Sequence, residues 1–231
     1  MPPSPRAPGR ALDTVLLDID GTLIDSNDAH ARAWVDAFAA HGYVVPFESV
    51  RPLIGKGGDK LTPELTGLDP ESGEAKRIGE TRGEIFSTRE LPTLRATPGA
   101  RALLEHLRTR GLELVVATSA KADEVTMLLE QAGVADLITA ASSADDAERS
   151  KPDPDIVQAA LHTVRRPASH AVMIGDTPYD VEAATRARVP IIALRCGGWN
   201  DDDLRDATAI YDDPADLLKH YERSVLGNRE P

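Results

Sequence analysis

The sequence predicts an α/β protein, a doubly wound, Rossmann-like parallel sheet with an inserted small α-helical domain. Three observations predict it. Short apolar runs alternate with amphipathic helical stretches through residues 97–194, the pattern of parallel strands joined by crossover helices. One further run, Val15-Leu16-Leu17, stands apart near the start. Between the two lies a polar, glycine-punctuated stretch, residues 47–95, with no convincing strand in it. At 231 residues the chain has room for one core and a satellite, here placed at 12–25 with 96–231 and at 26–95.

The elements follow in order. Residues 1–11 carry four prolines and no apolar segment of signal-peptide type, so they read as a disordered tail. After the strand ending at Leu17, residues 28–40 read as an amphipathic helix stopped by Gly42. The 47–95 stretch reads as short helices loosened by their glycines. Thr97 is the expected N-cap of the next helix, with Pro98 at its first position and Gly111 at its end. Strands are then expected at 112–117, 137–139, 171–174 and 190–194, separated by helices at 123–131, 154–164 and 178–187.

Composition narrows the function. A formal net charge of -12 argues against nucleic acid, whose binding depends on Lys and Arg neutralising phosphates. No stretch approaches the roughly 18 apolar residues of a membrane span, so no membrane partner is expected. The single cysteine, Cys196, cannot close an internal disulfide, which fits a cytoplasmic protein.

The chemistry centres on Asp18-Ile19-Asp20-Gly21-Thr22-Leu23, directly after the first strand. Side chains alternate along a strand, so Asp18 and Asp20 project to one side where the chain leaves the sheet, and two such acids want a cation. Their other reading is a turn whose acids only cap backbone N–H groups. Three further polar groups follow later strands: Thr118-Ser119, Lys151 in Ser150-Lys151-Pro152, and Gly175-Asp176-Thr177-Pro178-Tyr179-Asp180. Singly, Thr118 could end a strand and Lys151 could be a solvated charge. Asp180 falls at the third position of a helix capped by Thr177, where an acid suits the helix dipole with no catalytic duty.

Taken together, the four elements in this order resemble the haloacid dehalogenase-like hydrolase superfamily, over about residues 12–194. The insertion resembles the helical (C1-type) cap of its phosphoglycolate phosphatase and β-phosphoglucomutase branch. The resemblance implies an aspartyl-phosphate mechanism with Asp18 as nucleophile and Asp20 as general acid and base. It implies Mg2+ held by Asp18, the main-chain carbonyl of Asp20 and Asp176, with Asp180 acting on it directly or through water, and Thr118, the Ser119 amide and Lys151 gripping the phosphate. Gly21 and Thr22 are expected to contact the substrate too, as are His30, Gly55 and Lys56 of the insertion. The residue types agree with this independently. A carboxylate needs no base to become nucleophilic, but a dianion 4 Å away costs it about 8 kcal/mol at an effective dielectric of 20. A divalent ion and a lysine reverse that sign, and hard oxygen donors favour Mg2+ over zinc.

For the cap, the run Ile54-Gly55-Lys56-Gly57-Gly58-Asp59-Lys60-Leu61 resembles the loop that closes over the site, and its other reading is an exposed loop. His30 resembles the histidine that positions the acid, or else it is a packing residue. The expected activity is a phosphoglycolate phosphatase-like hydrolysis of a small phosphorylated metabolite, by a monomer or homodimer. A β-phosphoglucomutase-like mutase is the alternative. It needs a cationic grip on a second phosphate, which that branch supplies with a cap arginine where Gly58 stands here, leaving Arg51, Lys56 or Lys60 as substitutes. A metal-independent dehalogenase would lack the second acid, Asp20. A receiver-type signalling module would order its acids and lysine differently and carry no insertion.

Overall fold

The computed structural model describes residues 12–227, so the tail expected at 1–11 lies outside the described residues. At the centre of the sheet is β1 (Thr14–Leu17), buried along its whole length because it has a strand on each side and helices on both faces. It pairs in parallel with β2 (Glu113–Ala117) on one side and β4 (Ala171–Gly175) on the other. Beyond them lie β3 (Ala140–Ser142), β5 (Ile191–Leu194) and β6 (Ala209–Tyr211), giving the all-parallel order β3-β2-β1-β4-β5-β6. The chain winds outward from β1 in both directions, and this reversal leaves a crevice at the carboxyl ends of β1, β2 and β4.

Strand alternation divides the core into two. Val15, Leu17, Leu114, Val116, Val172 and Ile174 face one way, onto Leu103, Leu104 and Leu107 of α5 (Ala100–Thr109) and Val125 and Leu128 of α6 (Ala122–Gln131). Leu16, Val115, Ala171 and Met173 face the other, onto α7 (Asp155–Thr163) and α8 (Pro178–Arg186).

The helical segment has a cluster of its own. Helix α1 (Asn27–Ala40) packs along α4 (Gly73–Ile85), and Trp34, Phe38, Leu61 and Ile78 fill the space with help from α2 (Phe47–Val50) and α3 (Gly58–Thr66). Burying a side chain such as Phe38, which is fully enclosed, is worth roughly 1.5–3 kcal/mol. Helix α4 runs on into a π-helical turn, Phe86–Glu90, that swings Phe86 under α1.

Three expectations are corrected. Helix α5 is capped by Gly99, not Thr97: the Thr97 hydroxyl donates to the Thr22 carbonyl at 2.7 Å instead. Gly99 has φ +77°, and a Cβ there would meet the Ala215 backbone at 2.7 Å, so the start of α9 (Pro214–Lys219) selects glycine. The strand expected at 137–139 is a 3-10 turn, Ala135–Leu137, and the ladder begins at Ala140, whose small side chains pack under α7. Finally, β6 and α9 carry no strong apolar run and were not anticipated; every residue of β6 is only partly buried, as befits an edge strand.

Candidate active site

Four loops deliver the site, each from the carboxyl end of a strand. Asp18 follows β1 and is fixed by its own N–H, which donates to the Ile174 carbonyl at 2.9 Å. Gly21 turns the chain back with φ +74°, and a Cβ there would collide with Asn27 and Asp176. Thr118 follows β2, Asp176 follows β4, and Lys151 comes from the loop before α7. Cys196 backs the turn, its thiol donating to the Gly21 carbonyl at 3.1 Å.

Beneath the pocket floor lies an ionic cluster. Lys151, 1% exposed, donates to Asp18 Oδ1 at 2.6 Å and stands 2.7 Å from Asp180 Oδ1. Asp18, Asp176 and Asp180 are buried, and each offers a carboxylate oxygen within 4.8 Å of the other two. Asp176 accepts from the Thr22 hydroxyl and the Asn27 amide, both at 2.8 Å. Asp180 divides its oxygens. Its Oδ2 closes the capping box at the start of α8, accepting from the N–H and hydroxyl of Thr177 at 3.0 and 2.7 Å, while its Oδ1 faces the cluster. The capping reading of Asp180 is thus seen in Oδ2, and Oδ1 is left beside Lys151 and the other two acids.

With all three ionised, the carboxylates against one ammonium would leave two negative charges uncompensated in a buried space, and the acids answer by holding their protons more tightly. Burial first, then Asp180, holds the Asp18 carboxyl well above the usual range, against the pull of Lys151. Asp176 is pushed up to about 7 by burial and Asp180. Burial alone would depress the Lys151 ammonium, but Asp18 and Asp180 outweigh it and hold it above its ordinary value. Asp180 Oδ1 and Asn27 Oδ1 are buried with no aligned hydrogen bond. An all-oxygen donor set that carries a double negative charge when ionised, with Asp180 Oδ1 answered by Lys151 alone, fits a divalent metal ion.

Asp20 is in a different environment, 2.5 Å from the Ser26 hydroxyl and 2.7 Å from His30 Nε2, whose ring stacks on Phe86 at 3.9 Å. Burial works to raise its carboxyl, but His30, Ser26 and the more distant Arg82 prevail and hold it below its ordinary value. Ser26 precedes α1 and gives up the usual N-cap bond to reach Asp20.

The pocket above encloses about 420 Å³ of empty space, part of it open to solvent, and brings together Asp18, Asp20, His30, Gly55, Lys56, Thr118 and Ser119 from the sequence-based set. Lys151, Asp176 and Asp180 lie just below its surface. Thr22, fully buried, is turned onto Asp176 rather than into the pocket, and Gly21 shares that lower position. The pocket also takes Ile54, which opens the glycine-rich run named from the sequence, and Trp34, Arg82 and Ala120, which sequence reasoning missed. Trp34 lies four residues after His30 on α1, so helical spacing was the signal that could have found it. Arg82 and the buried Asn27 had no such signal.

The geometry accords with the comparisons. Residues 15–194 match the haloacid dehalogenase-like hydrolase family model. The Rhodospirillum rubrum phosphoglycolate phosphatase is 30% identical over 214 residues, covering 88% of each chain. The Arabidopsis thaliana chloroplast protein SUPPRESSOR OF QUENCHING 1 is 33% identical over 191 residues, of which the match spans 18% of that longer protein. A hydrolase of known structure from Pseudomonas syringae superposes with a TM-score of 0.84 at 30% identity, covering 91% of this chain and 98% of that one. No helix among the described residues is long and apolar enough to cross a membrane. The chain belongs to the haloacid dehalogenase-like hydrolase family, on its phosphoglycolate phosphatase and β-phosphoglucomutase branch.

Proposed function

We propose that this protein is a Mg2+-dependent phosphomonoesterase that acts on a small phosphorylated metabolite through an aspartyl phosphate on Asp18, with residues 26–95 as its cap. The observation that carries this reading is the placement of Asp18 between a pocket open to a substrate and a buried cluster with two uncompensated negative charges.

Asp18 attacks phosphorus in line with the ester oxygen, and the P–O bond to the leaving group breaks. Thr118, the Ser119 amide and Lys151 hold the non-bridging oxygens. Asp20 gives a proton to the departing alkoxide; the approach of a dianion raises the proton affinity of its carboxyl, which rests below its ordinary value. Water then attacks the phosphoryl group on Asp18 while Asp20 takes its proton, releasing inorganic phosphate and the free carboxylate. His30 and Ser26 orient Asp20 through both steps. Mg2+ on Asp18, Asp176, Asp180 and the Asp20 carbonyl would supply the positive charge that lets a carboxylate meet a phosphate dianion. All these groups come from one chain, so a monomer or homodimer in the cytoplasm serves.

The mutase reading loses ground in the helical segment. Arg51 is bound to Asp28 and the Gly197 carbonyl at 2.5 and 2.7 Å, and Lys60 to the Ser150 carbonyl and Asp153 at 2.6 and 2.5 Å. Of the three substitutes for a cap arginine only Lys56 reaches the pocket, and Arg82 of α4, which also lines it, is paired with the buried Glu124. Turnover of p-nitrophenyl phosphate that requires Mg2+ and disappears in Asp18→Asn is the expected result. Turnover that survives the substitution, or proceeds equally in EDTA, overturns the reading.

A further inference from the structure

Resting on the phosphatase reading, we infer that the pocket is built for a neutral, hydroxylated leaving group of polyol or sugar type, and that it turns away one carrying a carboxylate or a second phosphate. The reason lies in how the cations around it are already paired. Among the described residues lining the pocket, the Lys and Arg side chains are Lys56 and Arg82. Arg82 Nη1 stands 2.6 Å from Oε1 of Glu124, a core residue on α6, and both side chains are largely buried, at 16% and 9% exposure. Lys56 is paired with Glu64 at 2.5 Å. Below the floor Lys151 lies between Asp18 and Asp180, and His30 is occupied by Asp20.

An anionic leaving group therefore meets no unanswered positive charge. It would bring a further anion beside the buried Glu124 and Asp20 and shed its own hydration to do so. A hydroxyl escapes that cost. A guanidinium offers five N–H donors, of which one is directed to Glu124, so Arg82 keeps donors for an alcohol oxygen while its charge stays balanced. Its carbon stands 5.3 Å from the Trp34 ring centre and 5.7 Å from that of Phe86, which hold it in place. Trp34, Ile54 and Ala120 give an apolar wall for the C–H face of a polyol.

The test uses 2-hydroxyethyl phosphate and 2-phosphoglycolate, alike in length and differing in CH2OH against carboxylate, with p-nitrophenyl phosphate as reference. The expected result is a kcat/KM at least about tenfold higher for 2-hydroxyethyl phosphate. Glu124→Gln, which leaves the Arg82 charge unanswered, should narrow that ratio by about fivefold or more, and the more exposed Glu64→Gln should narrow it less. Glu64→Gln keeps the test open if Glu124→Gln does not fold. Turnover of p-nitrophenyl phosphate with 2-phosphoglycolate ahead of its neutral partner overturns this inference alone, as does a ratio that neither variant moves. No turnover of any of the three esters in Mg2+ overturns the phosphatase reading and this inference with it.

Discussion

The sheet and the helical segment place their functional side chains by different means. In the sheet the positions are set by topology: Asp18, Thr118 and Asp176 each stand at or just past the carboxyl end of a parallel strand, and those ends meet because β2, β1 and β4 are neighbours. In the helical segment His30, Trp34, Lys56 and Arg82 come from helix faces and a loop, and they converge only because α1 packs along α4. On the proposed function, the first arrangement would fix what reaction is possible, and the second would select which ester undergoes it. Substitutions in the sheet should therefore strike every substrate alike, while those in the helices should change ratios between substrates.

The largest expected effect is Asp18→Asn, a loss of about 10^4-fold or more in kcat for any ester, with no phosphate trapped on the protein. A variant retaining activity on one ester only would break the division just drawn. Next comes the metal. Chelation should remove turnover of all esters and added Mg2+ should restore it, and Asp176→Asn should raise the Mg2+ concentration needed for half-maximal rate. On the helical side, Trp34→Ala should destabilise by about 3 kcal/mol, read by chemical denaturation, and should shift kcat/KM unequally among esters; an equal shift would put Trp34 with the sheet residues.

Stability without metal sharpens the contrast from the core side. The folded Asp176 carboxyl titrates near 7 and the unfolded one near 3.8, so between those values the folded protein holds the extra proton. Metal-free stability should therefore fall as the pH rises through that window, by up to about 1.4 kcal/mol per pH unit for this group, and level off above it. Melting temperatures in EDTA from pH 5 to 8 measure it, and Mg2+ should flatten the slope. A curve that rises over that range contradicts the charge excess. The smallest effect is expected at Asp59, which accepts from the Ser150 hydroxyl at 2.5 Å and ties α3 to the loop of Lys151. Asp59→Asn should cost about 1 kcal/mol in kcat/KM, seen as a fewfold decrease.

The same division explains what could be read from the residues alone. A strand that ends in Asp-x-Asp-Gly advertises its place, because an apolar run with period 2 fixes the direction of the side chains that follow. Hence Asp18, Asp20, Thr118 and Asp176 were legible, and so was the parallel sheet. Gly99 was not, since its capping role depends on Ala215, more than a hundred residues away. Nor was β6, whose three residues are neither alternating nor fully buried. Arg82 looked like one more charge on a polar helix. Its position over Trp34 and against Glu124 exists only after α4 has packed along α1 and met α6.

One side chain restricts what this sequence can become. Position 180 must supply two equivalent acceptors at a short reach, one to start a helix and one to face a cation. Asparagine brings a single acceptor and a donor that would point at Lys151 or at Thr177, and glutamate, which can close a capping box, would carry its second oxygen a methylene further from its present place beside Lys151. Helix initiation and the buried ion pair with Lys151 thus fall to the same residue, so a change made for one is felt by the other.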